Sequence, residues 1–391
     1  RCKWIYNQTS TKLGEDETSY TGKFTSASET ISLTTANPGD YYLHVLTVDK
    51  AGNKKEKVSE KVIVKSLVTK ITLNPTKLNF VVGDIASKKL SATIEPADAM
   101  NKNVIWTSTN TNVATVNGSG EVTAVGKGTC TIKATSETNA NVYGSCSVTV
   151  KDEMTIAEAK AKVTSYATLK QYIGTKITDY NPTAGGTWRI FYYDEAGNFG
   201  TAGKLYLKRD YDSGESKKLK DYTSYTPTSQ GLEIMKAMNP KWREYTTAGA
   251  NTIDNRNEHC VAWLCDPTNW TDYKTAEADY AIGSPSVEMY MKAYNVWKTG
   301  NKDATNLVCK VESANGYSVG ANGIYYKSGY YTNSNTIEAG PNNIFMTANN
   351  IWWLASPSSY GNASVLSVAY NLGVTYYSFN DTLGVCPVVS L

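Results

Sequence analysis

The sequence predicts a multidomain chain: two all-β sandwich modules, the first one partial, followed by an α+β domain. Three observations carry this. The chain has 391 residues, more than one ordinary domain holds. Its first 152 residues alternate apolar and polar positions in short runs broken by turn signals. At Thr155-Ile-Ala-Glu158 a capping box opens a helical pattern, and the composition changes from there on.

Residues 1–65 read as the first module. Ile31-Ser-Leu33, Tyr41 to Val48 and Val58 to Val64 alternate as strands, and Asn37-Pro38-Gly39-Asp40 and Ala51-Gly52-Asn53 mark turns. The opening at Arg1, without Met or a hydrophobic leader, reads as an interior fragment or a processed product.

Residues 66–152 read as the second module. Successive strands are expected at Val68 to Leu73, Leu78 to Gly83, Leu90 to Pro96, Val104 to Ser108, Val113 to Val116, Gly120 to Ala124, Gly128 to Ile132 and Ser147 to Val150. Alternation turns Cys130 and Cys146 inward on neighbouring strands. They are either two buried free thiols, the favoured reading, or a disulfide. The seven cysteines form no CxxC ladder, and two histidines, His44 and His259, are too few and too distant for a two-His zinc site.

Residues 153–391 read as the α+β domain. A helix is expected over 155–172 with Ile156, Ala159, Val163 and Tyr166 on one face. Further helices are expected at 231–237 and 286–296, the latter with Val287, Tyr290, Met291 and Tyr294 inward. Trp188 to Asp194 and Lys204 to Lys208 read as strands, and the remainder as short strands in a loop-rich antiparallel sheet.

Composition excludes other classes. Charged residues are 19% of the chain and the net charge is +3, so neither a nucleic-acid partner nor a polybasic membrane arm is expected. No apolar run is long enough to span a bilayer. The surplus lies in 28 Tyr and 9 Trp against 6 Phe, rings that carry an apolar body and a polar handle. Residues 66–152 hold one tyrosine, Tyr143.

The tail is the most informative stretch. Ile351-Trp352-Trp353-Leu354-Ala355-Ser356-Pro357 and Gly384-Val385-Cys386-Pro387-Val388-Val389-Ser390-Leu391 form an apolar frame. Between them, half the residues of 356–381 are Ser, Tyr or Asn. Tyrosine gives contact area at low entropic cost, and Ser and Asn give adaptable hydrogen bonds, as in antibody paratopes.

These motifs resemble known families. Gly39-Asp-Tyr-Tyr-Leu43 and Asp49-Lys-Ala-Gly-Asn53 are similar to the second half of a bacterial Ig-like surface domain, a resemblance that implies Trp4 as the core tryptophan of an early strand. Trp106-Thr-Ser-Thr-Asn110, Val113-Ala-Thr-Val116, Gly120-Glu-Val-Thr-Ala124 and Gly128-Thr129 resemble bacterial Ig-like domains of group two, which serve as spacers in adhesins and phage virion proteins. Trp188 to Asp194, Ala262 to Trp270, Gly283 to Tyr290, Trp352 to Pro357 and the terminal Gly-Val-Cys-Pro-Val-Val-Ser-Leu resemble C-type-lectin-fold domains of phage and Bacillota surface proteins. The tail looks like the variable region of proteins diversified by retroelements, where an error-prone reverse transcriptase mutates adenines.

The resemblance implies two Ig-like sandwiches and an α+β C-type-lectin-like domain whose scattered tail residues form one ligand-binding face. That face would comprise Ser358, Ser359, Tyr360, Asn362, Ser364, Ser367, Tyr370, Asn371, Tyr376, Tyr377, Ser378 and Asn380. It further implies a non-catalytic, extracellular binding protein, displayed on a cell surface or a phage virion. Its partner would be a protein or glycan on a bacterial or host surface, with no direct membrane insertion and a larger parent protein or virion as carrier. An adhesin of fixed specificity is the alternative, and a cell-surface glycan hydrolase a further one.

No cofactor or metal is expected. Gly340-Pro341-Asn342 and Phe379-Asn380-Asp381 offer too few oxygens for the calcium site of sugar-binding lectins, and Asn380-Asp381 reads as a turn. Cys309 and Cys386 are the candidate thiols for an enzyme, with Cys386 read as core; Cys260 and His259 are sequence neighbours that point apart. Glu258, Asp266 and Glu288 do not single out a hydrolase pair. Asp266 reads as a cap between two core tryptophans, and Glu288 as a first-turn acid.

Overall fold

A computed structural model describes residues 2–14, 16–24, 38–64, 66–211, 216–218, 228–238, 255–276, 281–308, 311–313, 324–326, 338–345, 351–357, 364–369, 373–378 and 381–391. The chain forms two compact units: Arg1–Asn79 with Ala86–Thr149, and Phe80–Ile85 with Val150–Leu391.

The first unit is β throughout its described residues, apart from one short 3-10 helix, Glu17–Ser19. Its leading sheet runs Gly22–Lys23, Cys2–Asn7, Gly39–Val48, Lys54–Val58, and Val62–Val64 also pairs with Gly39–Val48. The expected strand from Val58 to Val64 is thus two strands. Ile31 to Leu33 lies outside the described residues. Trp4 is half-buried and stacked on Tyr6 at 6.2 Å, not the core tryptophan expected. The core there is Tyr20, Leu46 and Val48 with Ile5 and Leu13 packed against them. Trp4 sits opposite Gly22, where the missing side chain leaves room for its indole.

In the second module alternation becomes burial. Strand Gly128–Ser136 buries Cys130, Ile132 and Ala134, and Tyr143–Lys151 buries Cys146, Val148 and Val150. Val104–Ser108, Gly128–Ser136, Tyr143–Lys151 and Lys77–Val81 form a four-stranded sheet in that order. Ala114–Val116, Glu121–Ala124 and Lys88–Lys89 form a three-stranded one, and Lys70–Asn74 pairs with Ser91–Glu95. Cys130 and Cys146 are free thiols, and burial pushes the Cys146 thiol up with Cys130 adding to it. Gly120, at φ +81°, lets the turn close over Trp106; a Cβ there would stand 2.7 Å from the indole.

Among its described residues the second unit packs five α-helices with two larger sheets around one aromatic-rich core. One sheet runs Glu153–Met154, Lys176–Ile177, Trp188–Asp194, Lys204–Arg209, Val388–Ser390, Ala281–Gly283. The other runs Ser216–Lys218, Thr382–Gly384, Trp352–Pro357, Ser364–Ala369, Gly373–Ser378. The capping box at Thr155 forms as expected, but the helix ends early. Helix α1 is Ile156–Lys162, and a second capping box, Ser165 with Thr168, starts α2 at Tyr166–Tyr172. Ser165 competes for the backbone and resets the chain. Helix α3 (Ser229–Met238) starts two residues earlier and ends one later than expected, while α5 (Val287–Thr299) starts one residue later, Ser286 being its N-cap, and ends three later. Helix α4 (Asn255–Cys265) has no counterpart in the sequence reading. Its Cys260-Val-Ala-Trp-Leu-Cys265 run is buried all round, so no amphipathic period betrays it.

The segment Phe80–Ile85 belongs to this second unit and supplies Asp84. The Asp84 carboxylate accepts from Lys162 at 2.7 Å, from the Tyr172 hydroxyl at 2.5 Å and from the Val81 N–H at 3.0 Å. Burial by itself pushes the Asp84 carboxyl up, but Lys162, Tyr172 and Val81 outweigh it and hold it below the usual range. Burial, then Asp84, drive the Tyr172 phenol up in turn. A depressed carboxylate contributes stability that is full above its unfolded value and is lost as pH falls through the folded one. Asp84→Asn is therefore expected to lower stability at pH 7 and to flatten its loss on acidification below about pH 4. Urea unfolding across pH 2–7 checks this; parallel curves for both proteins would contradict it.

Candidate recognition site in the C-terminal tail

The tail is anchored by its frame. Trp352, Trp353, Leu354, Ala355 and Ser356 are all buried. Ser356 Oγ accepts from the Val287 N–H at 3.0 Å and the Ala355 N–H donates to Pro285 O at 2.9 Å, which fixes this strand to the start of α5. Tyr290 reaches from α5 to donate to Phe345 O at 2.8 Å, with its ring edge-on to Trp352 at 5.7 Å. Val385, Cys386, Val388, Val389 and Leu391 close the core from the C-terminus.

On this frame stands the hairpin Ser364–Ala369 and Gly373–Ser378, with Leu366 opposite Tyr376, Val365 opposite Tyr377 and Ser364 opposite Ser378. Successive residues of a strand face opposite sides. Tyr376 and Tyr377 therefore cannot share one face, contrary to the expectation from sequence. Both are half-buried and pack against the core. Ser367 is fully buried, opposite Trp353 and Thr375, and so leaves the exposed set. Its strand is central and buried on both sides, so Val365, Leu366, Ser367 and Val368 give no alternating signal.

Ser378 is half-buried and begins a tight turn: its N–H donates to Asp381 Oδ2 at 3.0 Å, and the Asp381 N–H donates back to Ser378 O at 2.8 Å. Asp381 thus closes a turn with Ser378, in line with the turn reading of Asn380-Asp381. Of the remaining residues, Ser358, Ser359, Tyr360, Asn362, Tyr370, Asn371 and Asn380 lie outside the described residues, as does the side chain of Ser364. Tyr376 and Ser378 thus mark one face of the edge strand, and Tyr377 the other.

The groups considered for catalysis are placed as follows. Cys260, Cys265 and Cys386 are fully buried, and burial followed by the nearby Asp266 pushes the Cys265 thiol up. Cys309 and the side chains of Glu258 and His259 lie outside the described residues. Asp266 is buried and caps the 3-10 helix Pro267–Tyr273, accepting from the Thr268 N–H at 2.9 Å. Its other oxygen accepts from Thr228 Oγ1 at 2.9 Å, and Trp263 and Trp270 sit 5.6 Å apart beside it. Glu288 lies in the first turn of α5. Among the described residues no three His, Cys, Asp or Glu side chains gather as a metal site. No helix of the described residues is long and apolar enough to cross a membrane.

The comparison with known families bears on the second module. The sequence model for the bacterial Ig-like domain (group 2) matches residues 67–146. Those residues are a bacterial Ig-like domain of group 2. An uncharacterized protein of Clostridium acetobutylicum is 37% identical over 84 residues, 22% of this chain and 8% of that protein. An alpha-L-arabinofuranosidase of Bifidobacterium longum is 53% identical over 51 residues, 13% of this chain and 5% of that enzyme. The chain therefore spans less than a tenth of either relative. The S-layer protein SbsC superposes on 30% of this chain and 17% of its own, at 24% identity and a TM-score of 0.21. Within the group 2 Ig-like domain, Trp106, Gly120 and Gly128 of the sequence motif have packing roles: Gly120 under Trp106, and Gly128 against Val113.

Proposed function

We propose that this is a non-catalytic binding protein, displayed on a cell surface or virion. In this reading the Ig-like modules are spacers, and the second unit is a C-type-lectin-like domain whose tail, diversified by a retroelement, recognises a protein or glycan. One observation carries it: the Ser/Tyr/Asn-rich stretch hangs from a frame that is buried on all sides, with Trp352, Trp353, Val365, Leu366, Val388 and Val389 fully enclosed. A rigid frame lets edge residues vary without loss of fold and keeps the ordering cost of binding low. Burial keeps Cys260, Cys265 and Cys386 away from solvent, which argues against thiol chemistry. The arabinofuranosidase match touches 5% of that enzyme and supplies no argument for hydrolysis.

The recognition face is expected to centre on Tyr376 and Ser378, together with Ser358, Ser359, Tyr360, Asn362, Tyr370, Asn371 and Asn380. Labelled full chain, applied to a panel of intact bacterial cells and purified surface glycans, should bind some of them. Tyr376→Ala should weaken that binding about tenfold or more, as a tyrosine hot spot does. Because the ring also packs on the core, stability should fall by about 1 kcal/mol. A folded Tyr376→Ala protein that binds as well as the parent would refute the assignment.

A further inference from the structure

A second site lies on the other sheet of the same unit. We propose that a pocket between α3 and the six-stranded sheet, about 370 Å³ in volume, binds an uncharged polyhydroxylated molecule of single-sugar size. The volume falls at the lower end of the range for small-molecule sites, which limits the ligand to about one ring.

The pocket is built by regular elements. On α3, Gln230, Glu233, Ile234 and Ala237 follow helical spacing and line one wall. On the sheet, Lys204 and Tyr206 alternate onto one face, Tyr206 stands opposite Ser390, and Ile282 completes the floor. Phe199, Gly200 and Thr201 form the rim.

That rim is held in place before any ligand arrives. Asp194, fully buried, accepts from the Asn198 N–H at 2.7 Å and the Phe199 N–H at 2.6 Å, and the Tyr206 hydroxyl donates to Phe199 O at 3.0 Å. A loop fixed this way loses little freedom on binding.

The lining sets the ligand class. Its charged groups are one ammonium, Lys204, and one carboxylate, Glu233, which sum to zero and select neither anions nor cations. Gln230, Thr201 and Ser390 can each donate and accept, the pattern that hydroxyl groups require. Ile234, Ala237 and Ile282 offer an apolar patch for the C–H side of a ring.

Saturation-transfer NMR on the full chain, with glucose, galactose, mannose and N-acetylglucosamine as probes and leucine as the zwitterionic control, tests this. At least one sugar should bind in the millimolar range, and leucine should not displace it. Ala237→Phe should fill the pocket and abolish the signal, while Gln230→Ala, at an exposed position, should weaken binding about fivefold. Tyr376→Ala should leave the sugar signal intact, which separates this site from the tail. Silence from every sugar at about 10 mM would overturn the proposal. So would binding that survives both pocket variants, or binding of leucine alone.

Discussion

Gly283→Ala is expected to prevent the second unit from folding. Gly283 has φ +85°, and a Cβ built there would stand 1.3 Å from the Leu264 carbonyl oxygen and 2.6 Å from Trp270 Nε1. The obstacle is backbone in the last turn of α4, so no side-chain rotation relieves it. Either α4 or the strand Ala281–Gly283 must move, and both bury core residues: Val261, Leu264, Ala281 and Ile282. The expected loss is about 4 kcal/mol or more, at the extreme of single-substitution effects. Gly185→Ala provides the control. It also has positive φ, +68°, but no atom within 4 Å of the added Cβ, so only backbone strain of about 1 kcal/mol is expected. Near-ultraviolet circular dichroism and urea unfolding check both; equal stabilities for the two variants would contradict the packing argument.

Glu56→Ala should be the most damaging polar substitution in the first unit. Glu56 is 6% exposed, and one carboxylate serves three donors. Oε1 accepts from the Leu13 N–H at 3.0 Å and faces His44 Nδ1 at 2.8 Å, while Oε2 accepts from the Gly14 N–H at 3.0 Å. The other His44 nitrogen faces Thr9 O at 2.9 Å and Asn7 Oδ1 at 3.1 Å. The pair therefore ties residues 7–14 to the strands Gly39–Val48 and Lys54–Val58. Truncation removes the acceptor from the buried His44 imidazole and from the N–H groups of half-buried Leu13 and exposed Gly14, which costs about 3 kcal/mol. Burial pushes the Glu56 carboxyl up, yet the Leu13 N–H, His44 and the Gly14 N–H hold it below its ordinary value. This stabilisation is complete above about pH 4.5 and fades as pH falls through the lower folded value. Acid unfolding should thus begin at higher pH without Glu56 than with it. An unchanged denaturation midpoint for Glu56→Ala would show that water replaces these bonds.

How much of this was legible in the sequence depends on whether an element has one solvated face. The group 2 Ig-like domain was readable strand by strand, because Cys130, Ile132 and Ala134 alternate with polar neighbours. Helix α5 was readable because Val287, Tyr290, Met291 and Tyr294 repeat at helical spacing after Gly283-Ser-Pro285. Segments enclosed on all sides hid themselves: residues 260–265 of α4 carry no polar stripe, and residues 365–369 of the strand Ser364–Ala369 are buried on both faces. For that reason Ser367 looked like a surface serine; Tyr376 and Tyr377 lie on the edge strand, where two like residues in succession mask the alternation of faces. The break at Ser165 was missed although its capping residues were visible, because two short capped helices and one longer helix share the same apolar spacing. The sugar-sized pocket draws on four separate segments, from the rim at Phe199 to Ser390, and no local motif announces it.

In the proposed reading the tail combines a constant frame with a variable edge. Sequencing the tail codons across a population of the source bacterium or phage tests it most directly. Adenine-confined changes are expected at residues 358–360, 362, 370, 371, 376, 378 and 380. Codons for the buried Trp352, Trp353, Val365, Leu366, Ser367, Val368, Val388 and Val389 should stay constant. An invariant tail, or changes spread evenly over frame and edge, would contradict it.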